Sequence, residues 1–260
     1  MLSFDRTPDA PEPFGFKVSW FAVKAADPTS VLDALELEGA TPANWASGLQ
    51  AAYGQEANGN AAYGNAPSSD RWVFVSPPVG GWILVVGSSL PYPTVETHHD
   101  IGRRFDVLFS RLMKRFDDVQ FFGSHRSVGF VTWARALNGK PMRLFGFADA
   151  DVLANLGEQT PEEAKLGFLD LSGLSPSDAA DKIFDVAEEQ SAEQDALVAD
   201  GLSQREARAK VLQKGRDALL DETDVTDLAA LWSLDPIRLP DQDHPLALGL
   251  AVRLPDNLTQ

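Results

Sequence analysis

The spacing of apolar residues changes near residue 150: short apolar runs cut by Gly, Pro and Asn come first, and apolar positions three and four residues apart come after. Residues 16–24 carry Phe16, Val18, Trp20 and Val23 at the density that strands favour. Residues 71–76 and 82–87 are two more such runs, joined by Pro77-Pro78-Val79-Gly80-Gly81, which reads as a hairpin with a long connection. These glycines do not make a phosphate loop, because no Lys-Ser/Thr pair follows them. Strands are also expected at 119–122, 127–136 and 142–148. Asn138-Gly139 joins the last two, since both central residues of the favoured hairpin turn need positive φ.

Helices are predicted where caps precede apolar periodicity. Asp27-Pro28 opens one bearing Val31, Leu32 and Leu35, and Thr41-Pro42 is read as the same signal ahead of Trp45, Leu49 and Tyr53. Ile101, Phe105, Leu108, Phe109, Leu112, Met113 and Phe116 share one face of a helix over 101–116, with Asp100 as its cap. Arg104, Arg111 and Arg115 line a flank of that face and are expected to dock on the acidic second half of the chain. Thr160-Pro161-Glu162-Glu163 is a capping box, Ser175-Pro176 resembles it, and Ser203 with Glu206 opens a helix expected to carry Ala207, Val211, Leu212, Ala218 and Leu219. A fourth helix over 221–232 aligns Val225, Leu228, Ala229 and Trp232, and Pro236 follows it. Residues 246–254 alternate weakly, as a closing strand would.

The predicted fold is therefore α+β. It has a mainly antiparallel sheet from the N-terminal half, helices within 28–53 and 100–117, and a helical C-terminal region. One compact unit over 1–260 is expected, with 1–148 as its sheet-rich part and 149–260 as its acidic helical part. Residues 54–69, built from Gly, Asn, Ala, Ser and two Tyr, are read as a long loop.

Charge sharpens that division. The formal net charge is −16, but residues 1–148 hold 13 Lys and Arg against 14 Asp and Glu, whereas residues 149–243 hold 8 against 23. Such a surface repels nucleic acid and anionic lipid, and attracts a basic partner. The absence of cysteine excludes disulfides, thiolate ligands and thiol nucleophiles, and fits a reducing compartment. The polar, proline-rich start does not read as a signal peptide, and the apolar runs at 82–87 and 245–254 are too short to span a bilayer, so a cytoplasmic location is expected.

Residues that could carry chemistry are few. His98-His99-Asp100 lacks the spacing of a zinc site and reads as a polar loop ahead of a helix. Ser124-His125-Arg126 reads as a turn, because adjacent Ser and His side chains seldom form a nucleophile–base pair. Trp133 and Arg135 share a strand face with Arg143 on the partner strand. With His125 and Arg126 they define an alternative pocket for a planar anion. The carboxylates of Glu188, Glu189, Glu193, Asp195, Asp221, Glu222 and Asp224 are the candidate contacts for a basic protein. No cofactor or metal is implied. The expected function is an acidic, non-enzymatic interaction module; its concrete form is an immunity protein that inhibits a basic toxin of a bacterial secretion system. The alternatives are an enzyme using the pocket around His125 and a homo-oligomeric structural subunit.

Overall fold

The computed structural model describes residues 4–54, 71–95 and 100–259. Among the described residues, nine strands form one antiparallel sheet, and helices cover both of its faces, which is an α+β fold. The strands are β1 (Ser19–Val23), β2 (Thr41–Ala43), β3 (Trp72–Val75), β4 (Ile83–Gly87), β5 (Asp118–His125), β6 (Phe130–Leu137), β7 (Lys140–Ala148), β8 (Asp151–Leu156) and β9 (Gly249–Arg253). Their order across the sheet is β2-β9-β3-β4-β1-β5-β6-β7-β8.

Alternation along each strand divides the core in two. Trp20, Ala22, Phe122, Trp133 and Phe145 face one way. They meet α2 (Trp45–Tyr53), α4 (Pro161–Leu166), α5 (Pro176–Ala199) and α7 (Glu222–Trp232). Phe21, Val23, Val85, Phe121 and Ala134 face the other way, onto α1 (Pro28–Leu35) and α3 (Ile101–Met113). Because both faces are covered, the central strands read as unbroken apolar runs: all five residues of β1 and of β4 are buried. Gly48 lets α2 lie tight on the sheet, where an added Cβ would fall 2.1 Å from the Phe74 ring.

The hairpin at Asn138-Gly139 forms as expected, with φ of 50° and 76°. Several other elements differ from the sequence reading. Thr41-Pro42 does not cap a helix. It belongs to the short edge strand β2, where proline is tolerated, and Asn44 caps α2 by accepting a hydrogen bond from the Ser47 N–H at 3.0 Å. Asp100 is in the left-handed region, makes no cap bond, and pairs with Arg103. The helical region expected from residue 149 begins only at α4, and the residues before it form the edge strand β8. Asp149 and Ala150 form the two-residue connection to it, with φ of 47° and 76°, a turn that no glycine announces. The helix capped by Ser203, α6 (Gln204–Leu212), stops before Ala218 and Leu219. Ser124 and His125 finish β5 rather than forming a turn. The closing strand β9 is internal, between β2 and β3, so a strand from the second half of the chain completes the sheet of the first.

The basic flank of α3 also faces elsewhere than expected. It lies on the sheet face opposite α4, α5 and α7. Arg111 binds the Leu35 carbonyl and Glu36 at the end of α1, and Arg104 binds the Thr259 carbonyl. Arg111 is thus held by α1, and Arg104 meets the second half only at a backbone carbonyl near its end rather than at the carboxylates of α4, α5 and α7. Residues 55–69 of the expected loop and the His98-His99 pair lie outside the described residues.

Candidate functional site

The acidic half of the chain holds two populations of carboxylates. The first lies in the seam between the helices and the sheet. Glu163, in the first turn of α4, caps its own helix by accepting from the Thr160 N–H at 2.7 Å. Its other oxygen accepts from Trp133 Nε1 at 2.9 Å and Arg143 Nε at 3.0 Å. Arg143 and Glu163 are 3% and 2% exposed, so the ion pair is out of water. Arg143 Nη1 also donates to Asn155 Oδ1 at 2.7 Å, and Asn155 Nδ2 donates to the carbonyls of Leu171 and Leu174. A buried pair is tolerated when every group is bonded in this way, and one network thereby ties β6, β7 and β8 to α4 and the turn before α5.

Two further ties run along the same seam. Arg135 grips Asp118 with Nη2–Oδ2 at 2.8 Å and stacks over Trp232 at the end of α7. Arg216 binds Asp224 and Asp227 of α7, reaches the Leu166 carbonyl and stacks on Phe168. Burial pushes the Asp224 carboxyl above the usual carboxylate range, against the opposing pull of the Asp221 N–H and Arg216. At the far end of α7, Glu222 accepts from the Lys17 N–H at 2.9 Å and from Ser124 Oγ at 3.4 Å, with Arg126 Nε 3.9 Å away. Beside it, the Tyr53 phenol is pushed up to about 12 by burial and by the charge of Glu222, against the lowering bond from the Gly15 N–H.

The second population lies on the outside of α5. Asp181, Asp185, Glu188, Glu189 and Asp195 are all exposed. At 100° per residue they occupy one face, opposite Ala179 and Ile183, which pack on the core. Among the described residues none of the five has an ion-pair partner. Asp181–Asp185, Asp185–Glu188 and Asp185–Glu189 are like-charge neighbours, each costing about 0.2–0.5 kcal/mol. Asp195 and the C-cap Asp200 sit at the negative end of the helix dipole, and no basic residue occupies the last turn. The neighbouring α6 carries Arg205, Arg208 and Lys210, so the negative surface belongs to this face of α5 and not to the whole helical pair.

The seven acidic residues singled out from sequence therefore separate. Glu188, Glu189 and Asp195 lie on the exposed face. Glu193 is half-buried and pairs with Lys214 at 2.5 Å. Asp221 caps α7, while Glu222 and Asp224 are buried in the ties just described. Asp181 and Asp185 escaped the sequence reading, although counting back seven and three residues from Glu188 would have found them.

The five residues of the alternative pocket do not converge. Trp133 and Arg143 meet at Glu163, Arg135 turns to Asp118, and His125 and Arg126 lie at the far end of β5. His125 pairs in register with Phe130, five residues or about 17 Å along β6 from Arg135. The recess lined by Trp133, Arg143, Glu163 and Phe168 holds about 20 Å³, enough for one water.

Comparison with known proteins finds no matching family model, curated protein or solved structure. No helix among the described residues is long and apolar enough to cross a membrane. Nor do three or more His, Asp or Glu side chains gather there to hold a metal.

Proposed function

We propose that the chain is a non-enzymatic interaction module whose outer α5 face binds a basic protein. One observation carries the reading: Asp181, Asp185, Glu188 and Glu189 are exposed, have no ion-pair partner among the described residues, repel one another and serve no cap or tie. Charge of this kind, which folding does not use, accelerates encounter with a positively charged surface and selects among partners. In its narrower form the partner is a basic toxin of a bacterial secretion system, and the chain is the cytoplasmic immunity protein that neutralises it. The acidic α5 face supports the basic character of the partner in this form.

The test is affinity capture from host lysate at low and moderate salt, using the native chain and the variant Asp181→Asn, Asp185→Asn, Glu188→Gln, Glu189→Gln. A basic protein held by the native chain, weakened by salt and lost with the variant, is the expected result. A partner retained equally by both proteins, or held without regard to salt, would overturn the proposal.

A further inference from the structure

We infer that the partner's basic segment carries an apolar side chain that lies on a small hydrophobic patch bordering the acidic face of α5. This rests on the reading above and adds what the contact recognises besides charge. Phe184 is 38% exposed and sits on the flank of α5, three residues after Asp181 and four before Glu188, so both carboxylates border its ring on the helix surface. Its ring lies tilted against Phe147, with ring centroids 6.3 Å apart and planes at 42°. Phe147 in turn lines an apolar recess with Val131, Phe145, Ile183, Ala218 and Leu220. Leu219, between the last two, is 45% exposed. Gln190 of α5 accepts from the Ala218 N–H at 3.1 Å, which holds this segment against the helix.

Exposed apolar side chains on a protein surface are ordinary when scattered. Here, Phe184 adjoins, through Phe147, a recess without a polar lining residue, and borders the unpaired carboxylates of Asp181 and Glu188. The recess holds about 10 Å³, too little to swallow a ring, so an incoming side chain lies across the exposed Phe184 ring rather than entering a pocket. Charge complementarity selects the occupant. An acidic ligand or an anionic membrane is repelled by Asp181, Asp185 and Glu188, and a neutral apolar segment leaves them unmatched. A segment with Lys or Arg on both sides of a Phe or Leu satisfies both features, with the apolar anchor at the centre and charge at the rim.

The proposal is tested by isothermal titration calorimetry with two synthetic peptides, one of Lys residues around a central Phe and one with Ser in its place. Each is titrated into the native chain, Phe184→Ser and the four-carboxylate variant, with thermal melts confirming that every variant is folded. Loss of the peptide's aromatic or of Phe184 is expected to weaken binding about tenfold each. Neutralising the carboxylates is expected to weaken binding and to flatten its salt dependence. If both peptides bind equally and Phe184→Ser changes nothing while the carboxylate variant loses binding, the anchor is overturned and the acidic-surface reading survives. If neither peptide binds the native chain at low salt, both readings fall. A native chain that dimerises in sedimentation analysis through Phe184 would make a second copy the occupant and overturn the proposal as well.

Discussion

The seam of the helical layer and the outer face of α5 are both rich in carboxylates, and they use them in opposite ways. In the seam, each acid has a partner: Glu163 has Arg143 and Trp133, Asp118 has Arg135, Asp224 has Arg216, and Glu222 has the Lys17 N–H. On the outer face, Asp181, Asp185, Glu188, Glu189 and Asp195 are exposed and have no ion-pair partner among the described residues. The contrast teaches that density of charge along a chain says little about its role. What separates a structural acid from a spare one is whether a cation or an N–H faces it across the fold.

The largest effect is expected from cutting the seam. Glu163→Ala leaves Arg143 buried without its counter-charge and removes a capping bond, and should cost about 3–5 kcal/mol by urea denaturation. A loss below about 1 kcal/mol would mean that the seam acids are as dispensable as the outer ones and would erase the comparison.

Alkaline pH tests the Glu222 end of the seam. The Tyr53 phenol keeps its proton up to about 12 in the folded chain, against an ordinary value of 10. Below pH 10 both folded and unfolded states hold that proton, and no stability is lost. Between pH 10 and 12 only the unfolded chain releases it, so stability falls as pH rises by about 1.4 kcal/mol per unit. Tyr53→Phe should flatten this part of the profile by about 2 kcal/mol across the window. An unchanged profile would show that the phenol is not held neutral beside Glu222.

A smaller effect concerns the strand that seats α5. Ala150 holds φ of 76° in the turn into β8, a region that costs a residue with a Cβ about 1 kcal/mol. Ala150→Gly should therefore stabilise the fold by about that margin, read as a rise of a few degrees in the thermal unfolding midpoint, and leave any binding to α5 unchanged.

Much of this architecture was legible in the chain. The cap residues at Asp27, Thr160, Ser175, Ser203 and Asp221 each open a helix, and Asn138-Gly139 marks its hairpin, because these are local signals. The turn at Asp149-Ala150 was hidden because a left-handed pair normally advertises itself with glycine. The internal place of β9 was hidden for another reason: pairing with β2 and β3 joins residues about two hundred positions apart, which no periodicity reports. The candidate site was half legible. Glu188, Glu189 and Asp195 could be found from composition, but the burial of Glu222 and Asp224 depends on Lys17, Ser124 and Arg216, which reach them from other elements.

The most direct measurement is the folding stability of the four-carboxylate variant, Asp181→Asn, Asp185→Asn, Glu188→Gln, Glu189→Gln, against the native chain at low salt. Removing three repulsive pairs should leave the variant as stable as the native chain or more stable by about 1 kcal/mol, with the difference closing as salt is added. A variant destabilised by more than about 1 kcal/mol would show that the fold relies on these carboxylates and that they are not free for a partner.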